Sequence, residues 1–142
     1  MRSILKLPPA APVCPYCGHS SELANSAEVY PRASQDYGQF WICWPCDAYV
    51  GCHKNSRRHA PLGRLANAEL REWKKKAHAA FDPLWRESDW SRGEGYKWLA
   101  NSMGRVGAVH IGFMDVAECR QVVDICTGEA NERRSTSSTA AN

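Results

Sequence analysis

Two short runs, Cys14-Pro15-Tyr16-Cys17-Gly18 and Cys43-Trp44-Pro45-Cys46, decide how this chain folds. In each, the Cys-x-x-Cys spacing lets two thiolates of one tight backbone knuckle reach the same ion. Zinc prefers four such ligands in a tetrahedron, with Zn–S near ~2.3 Å. Gly18, directly after the first pair, suits a turn that aims amide N–H groups at the sulfurs, because glycine accepts positive φ without strain. The 25 residues between the pairs are enough for a hairpin that brings the knuckles together, which is the zinc-ribbon arrangement. Cys14, Cys17, Cys43 and Cys46 are therefore the candidate ligands of one structural zinc. Four protein sulfurs leave no position for water, so such an ion stabilises the fold and does not catalyse. Four thiolates also suit an iron–sulfur cluster. A thioredoxin-like redox pair would need a Cys-x-x-Cys at a helix start within a βαβ pattern, and the sequence has none.

Around the knuckles, residues 13–53 read as β-type. Glu28-Val29-Tyr30 and Gln39-Phe40-Trp41-Ile42-Cys43 are aromatic and β-branched, Asp36-Tyr37-Gly38 supplies a turn, and Ala48-Tyr49-Val50-Gly51 makes a third short strand. Beyond them the period changes. Over residues 64–82, Leu65/Ala66, Leu70, Trp73, Ala77 and Phe81 recur at three- and four-residue steps, the apolar face of a helix that ends near Asp82, before Pro83. Arg71, Lys74, Lys75 and His78 are assigned to its opposite side. Ser91-Arg92-Gly93-Glu94 and Asp115-Val116-Ala117-Glu118 have the spacing of capping boxes and open two more helices. The second carries Cys119, Val122, Val123 and Cys126 on one face and is expected to stop at Gly128; both cysteines read as core. Residues 108–113 alternate, with Val109, Ile111 and Phe113 on one face of a short strand. The fold class is thus α+β, a four-cysteine zinc-ribbon hairpin module packed on a helical part of about three helices and one short strand. Its divisions are a Pro-rich extended lead-in over 1–12, the ribbon and a basic loop over 13–63, the helical part over 64–128, and a disordered tail over 129–142. The last segment carries nothing apolar larger than alanine to offset its ordering entropy.

Hydrophobic residues at 44% and charged residues at 23% of 142 are those of a globular chain. No apolar run approaches the ~18–20 residues of a membrane span, and the start is too short and too proline-interrupted for a secretory signal. Seven cysteines, an odd number with two Cys-x-x-Cys pairs, fit metal ligation in a reducing, cytoplasmic setting. Net charge is only +3, but residues 52–76 alone carry +6, and a local basic patch attracts phosphate even on a nearly neutral protein. Cys52-His53 could belong to a partial second site with His59, His78 or His110; a buried cysteine beside a hydrogen-bonded histidine is the simpler reading.

Read in order, Cys14-Pro15-Tyr16-Cys17-Gly18, Trp41-Ile42-Cys43, Asp47-Ala48-Tyr49-Val50-Gly51-Cys52-His53 and Pro61-Leu62-Gly63-Arg64-Leu65-Ala66 resemble a zinc-finger-containing domain family of phages and bacteria. The similarity continues through Phe81-Asp82-Pro83-Leu84-Trp85, Tyr96-Lys97-Trp98-Leu99-Ala100 and His110-Ile111-Gly112, spanning about residues 13–126. The resemblance implies the four cysteines as metal ligands and a home in phages, prophages or plasmids. It brings no established activity. The segment Lys54-Asn55-Ser56-Arg57-Arg58-His59 departs from the pattern, where a shorter Gly-Thr-type stretch is expected.

Three functions follow. The leading one is a small non-enzymatic protein of a phage or other mobile element that binds nucleic acid. Ribbon aromatics (Tyr30, Tyr37, Phe40, Trp41, Trp44 and Tyr49, with Trp44 foremost) would stack on bases, while Arg57, Arg58, Arg64, Arg71, Lys74 and Lys75 hold phosphates. The alternative is an adaptor or inhibitor that docks on a host protein complex, a defence system included, through the same residues. The third is a zinc-stabilised nuclease. Its catalytic histidines would ordinarily lie between the cysteine pairs, whereas His53 and His59 follow both, and no catalytic constellation is evident.

Overall fold

The computed structural model describes residues 11–141, and side chains up to residue 136. Most of the expected lead-in over 1–12 lies outside that range. The chain divides between Ala68 and Glu69 into two compact units.

The first unit is a three-stranded antiparallel sheet ordered β1 (Glu22–Asn25), β2 (Gln39–Cys43), β3 (Ala48–Gly51). Central β2 pairs on both edges, with Trp41 opposite Leu23 on one side and Val50 on the other. That position explains why Phe40, Trp41, Ile42 and Cys43 are all buried. The two-residue period then sorts them. Trp41 and Cys43 join Cys14, Ala48 and Leu65 in one apolar cluster. Phe40 lies in an aromatic group with Tyr30 and Tyr49, whose rings meet edge to face at 5.6–5.9 Å. The turn before β2 is as expected: Gly38, at φ 91°, donates its N–H to Asp36 Oδ1 at 2.8 Å.

The expected strand at Glu28-Val29-Tyr30 is instead a helical turn, α1 (Ser26–Val29). Asn25 Oδ1 accepts from Glu28 N at 3.0 Å, and Glu28 Oε1 accepts from Asn25 N at 2.9 Å. This reciprocal cap satisfies the backbone locally and outweighs the β preference of Val29 and Tyr30. The strand sits just earlier, at Glu22–Asn25.

In the second unit, α2 (Ala68–Arg86) is longer than expected and runs through Pro83. The proline forfeits only its own bond to the carbonyl of Ala79, an exposed residue whose carbonyl can turn to water. Trp85 Nε1–H donates to Asp82 Oδ1 at 3.0 Å across the same turn, and Leu84 is buried beyond it. α3 (Arg92–Ser102) opens on the expected Ser91–Glu94 capping box. Gly95 allows it to approach α2: a Cβ there would stand 3.0 Å from Trp85 Cβ and 3.2 Å from Phe81 Cζ. α4 (Val116–Ala141) begins at a reciprocal Asp115–Glu118 cap with bonds of 3.0 and 2.8 Å. Its Cys119, Val122 and Cys126 are fully buried, as expected of core.

Two expectations fail in this unit. Residues 108–113 form no strand; Ile111–Phe113 is a single 3-10 turn. Phe113 N–H and Met114 N–H bond back to the carbonyls of His110 and Ile111, so the segment satisfies itself where no neighbouring strand is at hand. The tail expected to be disordered over 129–142 continues α4 past Gly128 to Ala141. Its tie is Arg133, which bonds Glu129 at 2.9 Å, donates to the carbonyl of Leu84 at 2.9 Å and lies over the Trp90 ring. Among the described residues, no helix is long and apolar enough to cross a membrane.

Candidate metal centre

Three local structures deliver the four cysteines. The first knuckle turns on Gly18, at φ 81°, whose N–H reaches the carbonyl of Cys14 at 2.9 Å; Cys14 N–H in turn reaches the carbonyl of His19 at 2.8 Å. Cys43 is the last residue of β2. The second knuckle is the turn that joins β2 to β3, closed by Asp47 N–H on the carbonyl of Trp44 at 3.1 Å, with Asp47 itself at φ 51°.

The result brings all four Sγ atoms within 4.8 Å of one another. Cys17 Sγ and Cys43 Sγ stand 3.6 Å apart, far beyond a disulfide bond. That separation is close to the ~3.8 Å edge of a tetrahedron whose centre lies ~2.3 Å from each sulfur. The electrostatics agree with a site built for a cation. Burial raises the Cys14 thiol, but N–H groups of Tyr16 and Cys17 and the thiols of Cys43 and Cys17 hold it below its ordinary value. The N–H of Cys46 lowers Cys43, yet burial and the Cys17 and Cys14 sulfurs leave it raised. Burial and the three neighbouring sulfurs push Cys46 up to about 12. One thiolate is favoured and further ones are repelled, a conflict that a divalent ion at the centre removes by deprotonating its ligands. The donor set and its spacing fit zinc. Cys14 and Cys43 are buried, Cys46 is half-buried and Cys17 is exposed.

Sequence reasoning missed His19, whose Nδ1 lies 3.4 Å from Cys17 Sγ; its place two residues after a ligand was the available signal. It also missed Tyr16, whose hydroxyl accepts from Asn67 N at 3.2 Å. Among the described residues the four cysteines are the only group of three or more potential ligands close enough for a metal, so Cys52 and His53 do not join a second such cluster.

The proposed contact residues separate. Of the ribbon aromatics, Phe40 and Trp41 are buried, and Trp41 Nε1–H is held by the carbonyl of His59 at 2.6 Å. Trp44, 46% exposed between two ligands, and Tyr37, 53% exposed, offer the most ring surface. Arg57 and Arg58 are exposed and Arg64 is half-buried in the first unit. In the second unit Arg71 is half-buried, and Lys75 is exposed beside Glu72 at 3.5 Å. Lys74 does not lie opposite the apolar face. At 100° per residue it falls near Leu70 and Phe81, and its Nζ donates to the carbonyl of Gly112 at 2.8 Å.

One feature of the ribbon had no sequence signal. A cleft of about 360 Å³ is lined by Tyr37, His53, Lys54, Ser56 and His59 among others. The loop that forms it is braced by Ser56, whose Oγ accepts from Ala60 N at 3.0 Å, and by His59 in the left-handed region at φ 54°.

The family model described as a zinc-finger-containing domain matches residues 10–129. No curated protein and no solved structure matches the chain.

Proposed function

This chain belongs to the zinc-finger-containing domain family, and from that premise we propose that it is a non-enzymatic nucleic-acid-binding protein whose recognition surface is the loop braced by the ribbon. One zinc ion, held by Cys14, Cys17, Cys43 and Cys46, is its structural centre. A four-thiolate site has no open coordination position, which supports a structural role for the metal over a hydrolytic one. Thiolate ligation and the lone, unpaired cysteines support a reducing cytoplasmic setting. A phage or mobile-element source rests on the sequence resemblance alone.

The observation that carries the reading is the 360 Å³ cleft, where the exposed Tyr37 ring and the Lys54 cation meet beside His53, His59 and a single acid, Asp36. Arg57 and Arg58 are exposed in the same loop. An aromatic face beside several cations is the arrangement that holds single strands: bases stack on the ring and the backbone follows the charge. Trp44, on the second knuckle, is a second stacking surface. The α2 cations contribute less than the sequence suggested, since Lys74 is engaged by the Gly112 carbonyl.

Titration of labelled single- and double-stranded DNA and RNA at two salt concentrations tests this. Binding should favour single strands and fall steeply with salt, because each phosphate contact releases a counterion. Lys54→Gln with Arg57→Gln should flatten the salt slope by about two units. Tyr37→Ala should cost about 1–3 kcal/mol on single strands. No binding at physiological salt would refute the reading and leave a protein-docking adaptor, with Trp44 as its anchor, in first place.

A further inference from the structure

The second unit holds a larger cleft of about 750 Å³, between α3 and the segment 105–110. That volume lies within the range of small-molecule sites. Two adjacent ridges of α3 make one wall: Arg92, Tyr96 and Ala100 in one four-residue row, Gly93, Lys97 and Asn101 in the next. Arg105 and His110 face it from the opposite segment, together with apolar Val106 and Val109.

Among the described residues, the lining carries two cations outside any ion pair with an acid, Arg92 and Lys97, and no aspartate or glutamate; its third cation, Arg105, is paired with Glu118. Of the acids nearby, Glu94 lies within range of the Lys97 charge as well as capping α3, and Glu118 pairs with Arg105. Glu94 accepts from Ser91 N at 2.8 Å as part of the α3 cap. Glu118 caps α4 and also takes the Arg105 guanidinium. Asp82 holds Trp85 Nε1 and lies 3.6 Å from His78 Nδ1. The cleft also has an ordered aromatic side. Tyr96 packs against His110 with ring centroids 4.6 Å apart and planes tilted by 41°, and Arg92 lies over Tyr96 at 5.2 Å. Gly93 leaves first-turn backbone of α3 uncovered at the wall, since a Cβ there would meet nothing nearer than Ser91 Oγ at 3.9 Å. The 105–110 wall is bounded by Gly104 at φ 70° and contains Gly107 at φ 95°. Between them Val106 is wholly exposed. An aliphatic side chain left in water at the edge of a cleft gains cover when a ligand with an apolar body enters.

We propose that this cleft is a binding site for a phosphate ester with a planar apolar body, of nucleotide size. Arg92 and Lys97 hold the phosphate, and the Tyr96–His110 pair with Val106 and Val109 covers the ring. The site belongs to the helical unit and shares no lining residue with the ribbon cleft.

Isothermal titration of the zinc-loaded full chain with the four nucleoside monophosphates, the matching nucleosides and inorganic phosphate tests it. Monophosphates should bind saturably, and nucleosides and phosphate alone far more weakly. Lys97→Gln should weaken binding about tenfold, the effect of one charge-assisted hydrogen bond. Arg92→Gln should do the same. Lys97 is exposed, so its variant folds even if Arg92→Gln disturbs Tyr96. Tyr37→Ala should leave monophosphate binding unchanged. A 5′-phosphorylated oligonucleotide that displaces the monophosphate identifies a nucleic-acid end as the source; failure to displace identifies the free nucleotide. No saturable binding of any monophosphate, or affinity unchanged by Lys97→Gln, overturns the proposal.

Discussion

Gly95→Ala is the sharpest probe of how the helical unit is packed. Alanine is normally the better helix residue, by about 0.5–1 kcal/mol over glycine. Position 95 should reverse that sign. The new methyl would sit 3.0 Å from Trp85 Cβ, which is fixed to the α2 backbone and cannot rotate away. Its second neighbour, Phe81 Cζ at 3.2 Å, belongs to a fully buried ring already 4.5 Å from the Tyr96 ring. Relief therefore requires α2 and α3 to part, and overpacking of this kind costs about 1–3 kcal/mol. Set against the propensity gain, the net is destabilising by about 1 kcal/mol, within a span of about 0–2.5 kcal/mol. Urea denaturation followed by tryptophan fluorescence reads it directly, since Trp85 lies at the contact. With a slope of about 1–3 kcal/mol/M the midpoint should fall by about 0.3–1 M. Gly93→Ala is the internal control. It is on the same helix, but its Cβ would meet only Ser91 Oγ at 3.9 Å, so it should be neutral or stabilising. Equal stabilisation by the two substitutions would refute the close approach of α2 and α3.

Other outcomes are equally concrete. Metal analysis should find about one zinc per chain, and Cys43→Ser, leaving three sulfurs, should unfold the ribbon because binding and folding are coupled; iron with visible absorbance, or a folded zinc-free variant, would contradict this. Cys119 and Cys126 should resist thiol reagents until the chain unfolds, since burial pushes them up to about 11 and about 12 from 9.0. Their folded values are raised, so the stability they contribute is complete below pH 9 and is lost progressively as pH rises towards 11–12; denaturation midpoints that climb over that range would be inconsistent with it. Asp115→Ala removes the acceptor of Glu118 N at 2.8 Å and should cost about 1 kcal/mol in the same urea assay, whereas a neutral result would mean that the cap is not formed in solution.

Which features could be read in advance follows from where their causes lie. The four-cysteine cluster was legible because a knuckle is a local device, and two of them at zinc spacing leave few alternatives. β2 and β3 were legible from aromatic and β-branched runs, and α3 and α4 from Ser91–Glu94 and Asp115–Glu118. The Asn25–Glu28 cap has the same spacing and could have been read, but Val29 and Tyr30 pulled the reading towards a strand. The continuation of α4 could not be read, because its tie is tertiary: Arg133 finds the Leu84 carbonyl and the Trp90 ring, both far away in sequence. Lys74 failed for a related reason. A lysine stem can lie along an apolar face and deliver its charge to a carbonyl at the edge, and helical spacing does not tell which cations do so. The clefts at Tyr37 and at Tyr96 arise from loop conformations set by His59 and Gly107, which have no periodic signature.

The second knuckle is also the turn between β2 and β3, and an order of assembly is expected from this. Cys43 and Cys46 are brought together by a hairpin closing over a few residues, an event of microseconds. Cys14 and Cys17 must arrive across a further 25 residues, and that closure entropy is met only once there is something to close upon. The nascent hairpin should therefore act as a two-thiolate trap for the ion, with the loaded trap as the nucleus on which the N-terminal knuckle and β1 condense. Refolding of the ribbon should accelerate with free zinc until ion capture ceases to be the slow step. Above that concentration the rate should report the arrival of the first knuckle, and lengthening the 31–36 loop should slow that step while leaving capture by the hairpin untouched.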